Sequence, residues 1–184
     1  MSILLHKHEP WITTVSGIQF HFLDPQPDEI DIKDIAFSLS NQCRFNGHIP
    51  FYSVAEHSIM VAKMLPKTKQ LAGLLHDASE AYLADIPSPV KHYLPEYKSL
   101  ENNLLTAIGK KFDVDLFDPE IKYADTDALY TEARYLLKDG GSSWVPSVFV
   151  ANNQYKPYLM PPAQAFQAFM SVFTELTKPN IIMP

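Results

Sequence analysis

Cysteine is nearly absent from this sequence. Cys43 is the only one, so no disulfide can close within the chain, and a reducing cytosol fits that usage. A basic excess is lacking too: 15 lysines and arginines against 21 acidic residues leave a formal charge of −6, which argues against general electrostatic attachment to nucleic acid or an anionic membrane. Any phosphate-bearing ligand must then be held by a few placed cations or by a metal. Long apolar runs are missing: MSILLHKHEPW offers only a three-residue run before His, Lys and Glu, and no later stretch approaches membrane-spanning length. There is no internal repeat or low-complexity tract. These absences lead us to expect a soluble, cytoplasmic protein with no nucleic-acid polymer and no membrane as partner.

What is present is a core. With 46% hydrophobic residues, 184 residues suffice for one substantial core and are too few for a second full domain, so 1–184 reads as a single domain. GIQFHF (17–22) alternates and predicts a short strand or hairpin before the proline-rich LDPQPDE. From Asp31 onward the apolar spacing is helical almost everywhere. Ile32, Ile35, Ala36, Leu39 and Cys43 form the first stripe, with Asp31 and Asp34 placed to cap it. Ser53 and Glu56 have capping-box spacing at the start of a second helix that runs to Pro66. A third helix is expected over about 68–83, stopping near Pro87 and Pro89; others over 97–112, 119–138 and 163–178 follow. The expected fold is an all-α bundle of five to six main helices with a short irregular or hairpin N-terminal segment.

Ionisable residues interrupt the apolar faces of three of these helices. His57 shares its face with Val54, Met60, Val61 and Met64; His76 and Asp77 follow an apolar run, with Glu80 one turn on. Asp125 shares a face with Ile121, Ala128 and Leu129, whereas Asp127 neighbours Tyr123, Tyr130, Thr131 and Arg134. Two imidazoles and two carboxylates directed into one core require a compensating charge, because a lone buried carboxylate is costly. A divalent cation supplies it. Mixed His and Asp ligation suits Co²⁺, Mn²⁺, Zn²⁺ or Fe²⁺, with Mg²⁺ also considered, and the lack of cysteine disfavours a structural zinc site.

The order H…HD…D, set in SGIQFHFLDP, IDIKDIAFSLSNQCRFNGH, FYSVAEHS, LAGLLHDASEAYLADIPSPVK and ADTDALYTEARYLL, resembles the HD-superfamily phosphohydrolases. It is most similar to bacterial 5′-deoxynucleotidases and small phage dATP triphosphohydrolases, over about 16–137. The resemblance implies metal ligation by His57, His76, Asp77 and Asp125, with Asp127 as the alternative last ligand. It implies acid/base or water-positioning roles for Glu80 and Asp85, phosphate contacts for Arg44 and Lys91, and a homo-oligomer. The substrate it implies is a small deoxynucleotide, with the phage-like front half inclining toward a triphosphate such as dATP. A 5′-monophosphate is the alternative, and a non-catalytic nucleotide sensor is a further one. An HD-fold di-iron oxygenase would need more histidines between Asp77 and Asp125 than His92.

Other residues have plainer readings. Phe45, Tyr52 and Trp144 are candidates to stack on a base, and His48 to touch substrate. His6, His8, His21 and His92 are not expected at the metal. Cys43 and the stripe Phe166, Phe169, Met170 and Phe173 read as core, and Glu132 with Arg134 as salt-bridge formers within the helix or between subunits.

Overall fold

The computed structural model describes residues 10–151 and 153–178, so His6 and His8 lie outside the described residues. Trp11–Thr13 (β1) and Gln19–His21 (β2) pair antiparallel, Trp11 opposite His21 and Thr13 opposite Gln19. The alternation at 17–22 is thus the second arm of a hairpin. Its inward residue, Phe20, is fully buried and stacks on Tyr82 at 4.0 Å between ring centroids, which ties the hairpin to the bundle.

The helices are α1 (Ile32–Asn41), α2 (Val54–Met64), α3 (Gln70–Leu75), α4 (Glu80–Leu83), α5 (Ser88–Lys91), α6 (Pro95–Phe112), α7 (Pro119–Leu136) and α8 (Pro162–Thr177). Six of them run for six residues or more. The all-α bundle with an N-terminal hairpin is therefore what the chain forms.

At its centre is α2, which packs against α1, α3, α7 and α8. Residues 54–62 are buried without a break, so this helix is enclosed on all sides rather than along one stripe. Its polar side chains must then find partners inside the protein. Ser58 donates back to the Val54 carbonyl at 3.0 Å. Glu56 accepts from the backbone N–H groups of Tyr158, Leu159 and Met160 at 2.5, 3.1 and 2.8 Å. His57 turns to the cluster described below. In α8, Phe169 is fully buried, and Phe166, Met170 and Phe173 pack partly buried against the core.

Local chemistry departs from the sequence expectation where a distant partner competes. Ser53 caps α2 by accepting from Glu56 N–H at 3.1 Å, but the Glu56 carboxylate is spent on the 158–160 segment and does not complete a capping box. Asp31 caps α1, while Asp34 instead accepts from Ser16 N–H at 2.9 Å and anchors the hairpin turn. Cys43 lies beyond the end of α1 and bridges to Ser53 through the backbone, closing the base of the 44–52 loop. The helix expected over 68–83 is a 3₁₀ turn (Lys67–Lys69), then α3, a turn at 76–79, and α4. The backbone stays helical in angle at His76 and Ser79, but bonds run three residues back: Ala78 N–H to Leu75 O, Glu80 N–H to Asp77 O and Tyr82 N–H to Ser79 O. This tighter winding is a 3₁₀ feature set at the HDAS residues. Helix α5, inside SPVK, was not expected; α6 begins two residues before the expected 97, and α7 ends at Leu136 rather than 138.

Candidate metal centre

Four side chains meet where α2, the 76–79 turn and α7 come together. His57 Nε2 lies 3.2 Å from Asp125 Oδ1 and 3.5 Å from Asp77 Oδ2. His76 Nε2 lies 3.2 Å from Asp77 Oδ2 and 3.8 Å from Asp125 Oδ1, and the two rings are 5.2 Å apart between centroids. The structure thus brings His57, His76, Asp77 and Asp125 together. Asp127 is on the other side of α7, where it lines an open groove of about 480 Å³ with Met64, Tyr123, Thr131 and Phe149. Of the two aspartates, Asp125 is the one at the cluster.

Each imidazole is oriented from behind. His76 Nδ1 donates to the Gly73 carbonyl at 2.8 Å, and His57 Nδ1 donates to Glu132 Oε1 at 2.6 Å. These acceptors carry no proton to give, so both rings present Nε2 to the centre. Both Nε2 atoms are buried and neither has a hydrogen-bond partner. Two orphaned imidazole nitrogens facing two carboxylates are what a cation site requires. Donors bound to one ion at about 2.1 Å stand about 3.0 to 3.5 Å apart, close to the separations found here. His57, His76 and Asp125 present ligand atoms that all lie within 4.8 Å of one another, and this cluster can bind a metal.

The carboxylates and imidazoles of the cluster shift one another's protonation. Burial opposes protonation of His76, yet Asp77 and Asp125 outweigh it and push its pKa up to about 10. Burial and Arg44 oppose the protonated His57 ring, and Glu132 with Asp125 more than offset them. Burial would raise the Asp77 and Asp125 carboxyls, but the two imidazoles hold both well below the usual range.

Glu80 and Asp85 border this centre. Glu80 is 4% exposed; one oxygen accepts from Lys91 Nζ at 3.0 Å and the other has no partner. Burial, then repulsion from Asp77 and Asp85, raise its pKa well above the ordinary value, with Lys91 opposing. Asp85 is raised too, by burial first, and feels Arg44, Asp77, Lys91 and His57. Gln42 secures the turn between these carboxylates: its Nε2 donates to Glu80 O and its Oε1 accepts from Asp85 N–H, both at 2.9 Å. Ala84, between them, sits at φ 68° and ψ 156°, a region that disfavours any side chain.

The expected phosphate cations are already engaged. Arg44 is buried; its Nε and Nη2 both lie 3.1 Å from Glu132 Oε2, and Nη1 stands 3.8 Å from Asp77. Lys91 bridges Glu80 and Glu101, at 3.0 and 2.6 Å. A third cation, Lys122, reaches Asp125 Oδ2 at 2.7 Å and is otherwise largely exposed. Of the aromatic candidates, Tyr52 is fully buried with its hydroxyl donating to Glu132 Oε1 at 3.0 Å, so it has no ring face for a base. Phe45 lies beside Arg44 and is only partly buried; Trp144 is 44% exposed and tilts against Tyr130. His48 is exposed, and His21 pairs with Glu29 at 2.7 Å.

Glu132 is the largest correction. It is fully buried and joins His57, Tyr52 and Arg44, rather than pairing along its own helix or across subunits. Arg134 donates to the Gly140 and Pro146 carbonyls. One signal was available: Glu132 follows Asp125 by seven residues, two helical turns, and so shares its face. Nothing in the sequence pairs Gln42 with residues 80–85, or Glu101 with Lys91.

Comparison with known proteins places the chain. It is 39% identical over 171 residues to the uncharacterised protein YfdR of Escherichia coli strain K12, covering 91% of this chain and 96% of that protein. The chain belongs to the YfdR family. An uncharacterised protein of Rhodobacter capsulatus is 35% identical over 142 residues, 68% of this chain and 72% of its own length. More distant homology links the chain to 5′-deoxynucleotidases: that of Vibrio atlanticus is 33% identical over 129 residues, spanning 50% of this chain and 66% of the enzyme. No family model matches. Among the described residues, no helix is long and apolar enough to cross a membrane.

Proposed function

We propose that this protein is a metal-dependent phosphohydrolase that releases phosphate from deoxynucleoside 5′-monophosphates. The observation that carries the reading is the pair of buried Nε2 atoms of His57 and His76, neither in a hydrogen bond, converging on Asp125 and Asp77 at 3.2 Å. A divalent cation held by these four residues would supply positive charge for a phosphoryl oxygen and acidity for a water. Glu80, with one oxygen held by Lys91 and the other unpartnered, is the group to take the proton of that water. Asp85 is held on the same turn by Gln42 and serves the leaving oxygen. The Nη1 end of Arg44 is not spent on Glu132, and with Lys122 it contacts the phosphate.

Two things support the monophosphate over the triphosphate that the sequence alone inclined toward. The relatives named for an activity are 5′-deoxynucleotidases. Lys91 is committed to two carboxylates and Arg44 keeps only its Nη1 end clear of Glu132, which suffices for one phosphate and leaves little positive charge for a triphosphate tail. The test is to incubate Mn²⁺- or Co²⁺-loaded protein with dAMP and with dATP and identify the product. Phosphate from dAMP is expected; triphosphate from dATP would move the substrate to the other class, and no product from either would end the hydrolase reading. Glu80→Ala is expected to abolish turnover while metal content stays unchanged, and a fully active variant would remove Glu80 from its role.

A further inference from the structure

We propose that Glu132 is a positioning residue serving two functional groups at once: one carboxylate oxygen fixes His57 of the cation cluster, the other fixes Arg44 at its rim. The inference rests on the phosphohydrolase reading above and deepens it. Glu132 is fully buried, and of its three donor residues His57 belongs to the cluster and Arg44 stands 3.8 Å from Asp77. Oε1 accepts from His57 Nδ1 at 2.6 Å and from Tyr52 Oη at 3.0 Å; Oε2 faces Arg44 Nε and Nη2, both at 3.1 Å. Four donors fill the lone-pair capacity of a carboxylate.

The two oxygens have separate consequences. At Oε1, a charged acceptor behind Nδ1 fixes the His57 ring and its tautomer and makes Nε2 a stronger donor to a cation. At Oε2, the side of the guanidinium that carries Nε is taken up, so the fork is turned and Nη1 is left on the Asp77 side. Asp125 and Glu132 stand on one face of α7, so the helix that brings a ligand to the cluster also brings the group that orients another ligand. Were Glu132 only the counter-ion of a buried arginine, its contact with His57 would be incidental and cation affinity would not depend on it.

The test compares Mn²⁺ affinity, measured by titration calorimetry, in four proteins: wild type, Glu132→Gln, Arg44→Met, and the double variant. Loss of the carboxylate behind His57 is expected to weaken Mn²⁺ binding by about 10- to 100-fold in Glu132→Gln. Arg44→Met is expected to bind Mn²⁺ no more weakly than wild type, because it removes a positive charge 3.8 Å from Asp77. The double variant buries no unpaired charge, so it keeps the question open to measurement if Glu132→Gln fails to fold; it is expected to lose Mn²⁺ affinity as Glu132→Gln does. With dAMP as substrate, Arg44→Met should raise KM chiefly, and Glu132→Gln should both raise KM and lower kcat. If wild type binds Mn²⁺ and the double variant or Glu132→Gln binds it within about threefold as well, this proposal is overturned alone. If wild type itself binds no divalent cation, the phosphohydrolase reading falls and takes the proposal with it.

Discussion

Replacing Glu56 by Gln isolates one long-range tie in this bundle. Glu56 is 3% exposed on α2, and its carboxylate accepts three backbone N–H groups from 158–160, about a hundred positions away in sequence. Oε1 takes two of them and Oε2 the third. An amide oriented with its oxygen at Oε1 keeps two bonds, both now to a neutral acceptor, and sets its NH₂ against the Met160 N–H. Bonds to a charged group are worth about 1.5 to 3 kcal/mol each and neutral ones about 1, so losing one and weakening two costs about 3 kcal/mol at the lower end of those values. For a chain of this size that lowers Tm by about 6 to 12 °C. Urea denaturation gives the free energy, and amide exchange at 158–160 should accelerate, because these N–H groups lose their acceptor. A variant within about 0.5 kcal/mol of wild type, with those amides still protected, would refute the account of how the segment before α8 is anchored.

Three further outcomes follow from the same geometry. Mn²⁺ at about a hundred times its dissociation constant should stabilise the protein by about 2.7 kcal/mol, a Tm rise of about 5 to 11 °C; Asp125→Ala should erase the rise and Asp127→Ala retain it, so the opposite pattern in a thermal melt would reassign the last ligand. Gln42→Leu removes the two bonds that tie the ends of the 80–85 turn to Gln42, while those from Ser38 to Ala81 O and from Tyr97 to Ala84 O remain, and should cost about 1 to 3 kcal/mol. Steady-state kinetics should show kcat falling more than KM, with Mn²⁺ affinity unchanged, and an unaltered kcat would separate Gln42 from the placement of Glu80 and Asp85. Ala84→Gly relieves a backbone strain of about 1 to 3 kcal/mol and forfeits about 1 in chain entropy, so it should be neutral to stabilising in urea melts; a clear loss of stability would show that the positive φ carries no strain.

The meeting of His57, His76, Asp77 and Asp125 was legible because its parts are local signals. His57 and Asp125 each stand on an apolar helical face, and His76–Asp77 sit at the end of an apolar run, so periodicity alone directs them inward. The same spacing separates Asp125 from Asp127, which differ by about 200° around α7. The bundle and the hairpin were legible for the same reason. The break between α3 and α4 was not, since His76 and Ser79 keep helical backbone angles and the turn differs from an α-helix in its hydrogen-bond spacing.

By itself the sequence determined the class of fold, the inward direction of the four clustered side chains, and the need for a compensating charge among them. These depend on helix period and on the cost of burying ions, both of which act within a few turns of chain. Tertiary structure alone decided what each polar group bonds to: Glu56 to the 158–160 backbone, Lys91 to Glu80 and Glu101, Gln42 to the 80–85 turn, and Glu132 to His57, Tyr52 and Arg44. A buried donor or acceptor is satisfied by whatever the fold carries within about 3 Å of it, and that neighbour comes from anywhere in the chain.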